Sequence, residues 1–317
     1  MGITALQRRR LRLDVAADLG HSPEFNHEFF KRFRREVKEA NPNALILAEH
    51  YGDPKSWLNG KEWDSVMNYD AFMEPVTWFL TGMQKHSDDF RGDMLGNARA
   101  FSDTMLYAGN KLTTPSKLVA MNQLSNHDHS RFLTRTNCKV GRTNTLGWQA
   151  ADEGVDKAVM RLAVMMQMTW PGAPTIYYGD EAGLTGFTDP DNRRTFPWGH
   201  EDMELIGFHK AMIKLHKENK EMITGSLKPL LAYDYLIAYS RFSMDASLVV
   251  IINRDNAART VDVPVWETIA SKGISFEKLL LTSRDGYSDE KVNYKVVNGR
   301  VNITMAPCSG VVLRSKK

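Results

Sequence analysis

Short apolar runs alternate with longer stretches of helical period from residue 11 to about residue 220. Residues 11–16 read as a strand. Ser22 and Pro23 follow as an N-cap and a first-turn proline, and Phe25, Phe29, Phe33 and Val37 form one apolar stripe on a helix that stops at Asn41-Pro42-Asn43. The continuous apolar run 44–48 predicts a strand covered on both faces. Further strands are predicted at 64–69, 117–124 and 174–178, and helices at 93–107, 156–169 and 201–220. Strands alternating with helices predict βαβ units and a parallel sheet. From Gly225 the texture changes: 235–242, 247–253, 259–263 and 301–305 are short strands between turn residues. The expected organisation is an α/β domain over 1–224 and an all-β sandwich over 225–317.

Composition narrows this picture. At about 150 residues per domain, 317 residues suit two domains. A hydrophobic share of 42% with 25% charged residues excludes a disordered chain. The balance of 41 Lys+Arg against 38 Asp+Glu, net +3, gives no reason to expect a nucleic-acid partner. Cys138 and Cys308 are too few for a disulfide framework or a zinc site, and as unpaired thiols they favour a reducing, cytoplasmic setting. No apolar run reaches the roughly 18 residues of a membrane span, so no membrane partner is expected. The basic start, with Arg8, Arg9, Arg10 and Arg12, lacks the apolar core of a secretory signal.

The chemistry is expected at the C-terminal ends of the strands, where parallel α/β barrels gather their sites. Arg12 and Asp14 end the first strand and share a face; Glu49, His50 and Tyr51 end the second; Asn126, His127, Asp128 and His129 end the fourth. Each has a plainer reading. Arg12–Asp14 also reads as a local ion pair, Glu49 as a solvated strand end, and His127, Asp128 and His129 as part of a metal site that lacks further clustered ligands. Taken together, Asp14, Glu49 and Asp128 suit retaining glycoside hydrolysis. That reaction needs an ionised nucleophile and a protonated acid about 5–5.5 Å apart. Arg12 keeps Asp14 ionised, desolvation after an apolar strand favours the neutral form of Glu49, and Asp128 supports charge developing on the ring. The expectation is that these acids crowd around one sugar-sized hollow.

The segments 12–16 (RLDVA), 47–50 (LAEH), 125–128 (SNHD) and 172–181 (GAPTIYYGDE) resemble, in order and spacing, signature regions of the alpha-amylase superfamily of glycoside hydrolases. Residues 189–198 (DPDNRRTFPW) resemble the neopullulanase, cyclomaltodextrinase and maltogenic amylase branch. The resemblance implies that Asp14 is the nucleophile, Glu49 the general acid/base and Asp128 the transition-state stabiliser. It also implies that Arg12 and His127 hold the nucleophile and a sugar hydroxyl, that Asp189 and Arg193 grip a sugar further toward the non-reducing end, and that Tyr51 flanks the acceptor side. Tyr51 also reads as an ordinary loop aromatic.

The family's barrel has eight βα units with the nucleophile on the fourth strand. Here the matching strand begins near residue 10, so the resemblance implies an incomplete (β/α) barrel of about strands four to eight, followed by the β-sandwich. Five strands do not close a barrel, and their open edges invite a second copy or a partner chain. No cofactor or metal is expected, calcium included. Three functions follow as expectations: an α-glucan hydrolase working by double displacement on maltooligosaccharides, cyclodextrins or pullulan; an inactive carbohydrate-binding or structural protein; and a half-barrel that works when a partner chain covers its edges.

Overall fold

The computed structural model describes residues 10–268 and 275–316; Arg8 and Arg9 of the basic start lie outside them. The described residues gather into two compact units. One draws on Met1–Met73, Thr104–Gln123 and Gly172–Thr175, the other on Glu74–Asp103, Leu124–Pro171 and Ile176–Lys317.

The first unit holds the parallel strands. β1 (Arg10–Leu13), β2 (Leu45–Ala48) and β3 (Ser65–Val66) form one parallel sheet in that order, and β4 (Met121–Gln123) pairs in parallel with β5 (Ala173–Thr175). A parallel bridge from Met67 to Met121 connects the two, reinforced by the Asn68 amide donating to Asn122 Oδ1 at 2.8 Å. Every strand is shorter than its apolar run, for local reasons. β1 ends at Leu13 because Val15 turns left-handed, φ 38°. The run 117–124 loses its start to a short helix, Thr114–Leu118, that Thr113 caps and Pro115 opens. The run 64–69 gives up Tyr69 to a wide helical turn, Tyr69–Met73.

Helix α1 (Pro23–Ala40) crosses from β1 to β2. Ser22 Oγ accepts the Phe25 N–H at 3.2 Å, and Pro23 fills the first turn where no N–H is needed. The expected stripe is corrected: Phe25 and Phe29 are exposed, and the buried face is Asn26, Phe30 and Val37. A strict four-residue spacing drifts about 40° per step around a helix, so residues 25 to 37 cannot all face one way. Phe30 meets Trp57 and Trp63 edge-on at 6.0 and 5.4 Å, and those two rings stack at 4.4 Å. Asp64 ties the helix down. It accepts from Arg34 Nη1 at 2.7 Å, Lys38 Nζ at 3.0 Å and the Ile46 N–H at 2.9 Å. Burial alone would raise the Asp64 carboxyl; the Ile46 N–H, Lys38 and Arg34 outweigh it and hold it below its ordinary value.

The second unit begins with α2 (Glu74–Thr81). The helix expected at 93–107 starts later, as α3 (Ala98–Gly109), whose residues from Thr104 onward count with the first unit, because Asn97 Oδ1 accepts the Ala100 N–H at 3.0 Å and opens the first turn there. α4 (Lys157–Thr169) is capped by Asp156, which accepts the Ala158 and Val159 N–H groups, and every residue from Ala158 to Thr169 is buried. Arg161, inside that helix, donates to Glu204 on α5 (Met203–Glu218) at 2.8 Å and to the Ser283 carbonyl at 2.6 Å. Among the described residues, nine antiparallel strands complete the unit, along the path β6 (Ser226–Tyr233), β7 (Leu236–Phe242), β8 (Ser247–Asn253), β14 (Ser309–Lys316), β10 (Ser275–Ser283), β12 (Asn293–Val297), β13 (Arg300–Met305), β9 (Arg259–Pro264), with β11 (Gly286–Ser288) beside β10. One core draws Ala238, Ile251 and Val311 from the middle of this path together with Val261, Val263 and Ile303 from its end, so the sheet curls over its own apolar face. Among the described residues, no helix is long and apolar enough to cross a membrane.

Candidate active site

The end of β1 is fastened to the end of β2 through the backbone. The Glu49 N–H donates to the Leu13 carbonyl at 2.8 Å, and the Ala16 N–H donates to the Glu49 carbonyl at 3.1 Å. Between these bonds the chain must reverse quickly, and Val15 takes the left-handed conformation, φ 38° and ψ 48°. A β-branched residue there is strained. Its N–H is satisfied by Glu49 Oε2 at 3.0 Å, so the strained turn and the carboxylate fix each other.

This turn delivers Asp14 and Glu49 to one guanidinium. Arg12 Nη1 bonds Asp14 Oδ1, and Arg12 Nη2 lies 2.9 Å from Glu49 Oε2. Arg12 therefore holds two carboxylates, not the one expected from the Arg12–Asp14 spacing. Their surroundings differ sharply: the Asp14 side chain is 74% exposed and that of Glu49 9%. One acid faces solvent, and the other is withdrawn into the strand ends. Tyr51 stands nearby in chain and stacks flat on Tyr69, centroids 4.3 Å apart and planes 5° apart. Tyr51 is exposed and Tyr69 buried, so the pair presents one backed aromatic face. Burial pushes the Tyr69 phenol up, with Tyr51 and Glu49 adding to it, which keeps it neutral and able to donate. In the sequence Tyr69 carries no signal beyond that of an aromatic ending a weak apolar run.

Asp128 belongs to the second unit. β4 stops at Gln123, and Asn126 Oδ1 then accepts the N–H groups of both Asp128 and His129, at 2.9 and 3.0 Å, closing a tight turn. The turn separates the two histidines. His127 Nε2 lies 3.4 Å from Asp128 Oδ2, whereas His129 is buried edge-on against His86 at 4.8 Å. Burial, with Arg135, His86 and Lys85 adding, pushes His129 down to about 2, so it is a neutral packing group. Among the described residues, no group of three or more His, Cys, Asp or Glu is placed to hold a metal ion.

The segment after Thr188 reaches the same turn. Thr188 Oγ1 donates to the Asp128 carbonyl, and Asn192 Nδ2 donates to the Asn126 and His129 carbonyls at 3.1 and 2.8 Å. Arg193 Nε donates to Asp189 Oδ1 at 2.5 Å, and its Nη2 lies 4.0 Å from Asp128 Oδ1. Asp128, His127, Asp189 and Arg193 thus form one polar group. Behind them, buried Arg131 donates to the Asn192 and Tyr178 carbonyls at 2.9 and 2.7 Å and to Asp180 Oδ1 at 3.0 Å. Arg131 and Asn192 were not singled out in the sequence, where each looks like an ordinary loop residue. The predicted site residues fall into two sets, with Arg12, Asp14, Glu49 and Tyr51 on the first unit and His127, Asp128, Asp189 and Arg193 on the second.

Comparison with known proteins identifies the class. The family model for the alpha amylase catalytic domain matches residues 12–298, and the chain belongs to that family of glycoside hydrolases. It is 34% identical over 308 residues to neopullulanase 2 of Thermoactinomyces vulgaris, covering 95% of this chain and 44% of that protein. It is 32% identical over 318 residues to an amylopullulanase of Thermoanaerobacter thermohydrosulfuricus, covering 96% of this chain and 20% of that protein. Among solved structures, the native form of the Nostoc punctiforme debranching enzyme matches with a TM-score of 0.78 at 27% identity, over 97% of this chain and 58% of that one. In each case the chain spans less than two thirds of its relative's length.

Proposed function

We propose that this protein is a retaining α-glycosidase acting on α-glucans such as maltooligosaccharides, cyclodextrins and pullulan. The observation that carries this reading is the shared guanidinium: Arg12 bonds an exposed Asp14 and a buried Glu49 at once. Double displacement needs two close carboxyl groups, one to attack and one to transfer the proton. Asp14 attacks the anomeric carbon, and the bond to the leaving sugar's oxygen breaks as Glu49 donates it a proton. A covalent glycosyl ester on Asp14 results. Glu49 then takes a proton from water, whose oxygen displaces Asp14 and restores both acids. Asp128 supports the positive charge that develops on the ring, His127 holds a sugar hydroxyl, and Asp189 with Arg193 grips a sugar further toward the non-reducing end. Tyr51, backed by Tyr69, offers a ring face to the acceptor sugar. Family membership supports these assignments.

We also propose that β1–β5 are the later strands of a (β/α) barrel within residues 1–224, with a β-sandwich domain at 225–317. One observation favours a second reading, in which the barrel works with a partner chain: among the described residues β1 has a strand partner, β2, on one side.

The test is turnover of a chromogenic maltoside by the purified chain. Asp14→Asn is expected to lower kcat by about a thousandfold or more, because a residue that acts as one part of a unit removes most of the catalysis alone. The first sugar released should keep the α configuration, read by NMR. Unchanged turnover in Asp14→Asn overturns the assignment. Absence of turnover together with measurable maltose binding supports an inactive carbohydrate-binding protein instead.

A further inference from the structure

A second recess lies wholly within the second unit, formed by none of the residues discussed as the candidate active site. Residues 92–99 and the turn at 232–235 enclose an open cleft of about 530 Å³, a size that receives small ligands. β6 and β7 pair as far as Tyr233 and Leu236, leaving Asp234 and Tyr235 as a two-residue turn with φ 26° and 60°. Turns with two left-handed residues take asparagine, aspartate or glycine, so a tyrosine in the second place is strained.

The surroundings hold that tyrosine in place. Its N–H donates to the Gly96 carbonyl at 2.6 Å, and its carbonyl accepts the Arg254 N–H at 2.8 Å. Gly96 is itself left-handed, φ 71°, and a Cβ there would lie 1.9 Å from the Tyr235 ring. Only glycine lets this ring rest on the facing backbone. The cleft wall is therefore pre-formed, built from a matched pair of conformational exceptions.

The lining chemistry selects a ligand class. Asp93 is committed to Arg91, which bonds both its oxygens at 2.9 and 2.8 Å. Arg259, which interacts with Asp234, is itself bonded to Asp255, and among the lining residues that leaves Arg99 and Asp234, one charge of each sign, beside the half-exposed ring of Tyr233. Balanced charge gives no net attraction to an anion or a cation. A guanidinium donor, a carboxylate acceptor and aromatic faces together suit a neutral ligand with many hydroxyls and a flat C–H face. We propose that this cleft is a second glucan-binding site, one that retains a long substrate without taking part in bond cleavage; the identity of the sugar rests on the reading of the chain as a glucan-active protein.

Maltoheptaose is the probe, with Asp14→Asn as the background so that it is not consumed. Hydroxyl-radical footprinting should show Tyr233 protected by maltoheptaose. Tyr233→Ala and Arg99→Ala, both at exposed positions, should each weaken binding to soluble starch by about fivefold to tenfold, the worth of one good aromatic or charge-assisted contact. In the chain with Asp14 intact, they should leave kcat/KM for a short chromogenic maltoside unchanged. Equal oxidation of Tyr233 with and without maltoheptaose, or unaltered starch affinity in both variants, overturns the proposal. The footprint does not depend on turnover, so a chain that fails to cleave the maltoside but protects Tyr233 refutes the catalytic reading and keeps the cleft.

Discussion

Arg12 illustrates how far single residues were legible. Its spacing from Asp14 announced an ion pair, and that pair forms. The sharing of the same guanidinium with Glu49 was not visible, because 34 residues separate Val15 from the carboxylate that fixes its turn. His129 shows the opposite case: the chain made it look like a partner of His127, whereas the Asn126 turn buries it. That burial has a measurable consequence. Burial pushes folded His129 down to about 2, against an ordinary value of about 6.5 for the unfolded residue. The unfolded chain therefore binds more protons below pH 6.5. The stabilising contribution is complete above that value and is lost as pH falls, by at most about 1.4 kcal/mol per unit. Urea unfolding at pH 7 and pH 5 should show this loss, and His129→Gln should make the decline shallower by about 2 kcal/mol. An equal decline in both proteins would show that other groups carry it.

Among the elements, α1 was predicted with the right cap and the right stop, since Ser22, Pro23 and Asn41 act within a turn of themselves. Its buried face was not, because that depends on where β2, Trp57 and Trp63 lie. Asp64 decides how the helix is held, bridging Arg34, Lys38 and the β2 backbone. Asp64→Asn is expected to cost about 2 kcal/mol in urea unfolding at pH 7, since it strips charge-assisted hydrogen bonds from a mostly buried cluster. The folded Asp64 carboxyl lies below its ordinary value. Its contribution is thus present above the ordinary carboxylate range and is lost as pH falls through the lower folded value. The variant should show a smaller loss of stability between pH 5 and pH 2 than the parent, and an equal loss would remove this role from Asp64. The strands β4 and β5 were read at the right places but too long, because the residue pattern does not mark where strand pairing stops.

For the molecule as a whole, the change of texture near Gly225 marked the antiparallel strands correctly, and β6, β10, β11, β12 and β14 went unnamed. Of these, β10 and β14 bury runs of consecutive residues, unlike β13, whose burial alternates along its whole length. The outer edge of β1 bears on association. Unpaired edges are templates for another chain. Light scattering at micromolar concentration is therefore expected to give a mass above 36.0 kDa; a clean monomer would remove the partner-chain reading and leave the glycosidase proposal standing.

The amino-acid sequence alone determined the alternation of strands and helices before Gly225, the cap and the stop of α1, and that Asp14 and Glu49 directly follow the first two strands. These are governed by periodicity and by hydrogen bonds that span a few residues. Tertiary structure decided that one guanidinium serves Asp14 and Glu49, that Tyr51 rests on Tyr69, and that Tyr235 meets Gly96. Such meetings join segments far apart in the chain, and they exist only after packing brings those segments within a side chain's reach.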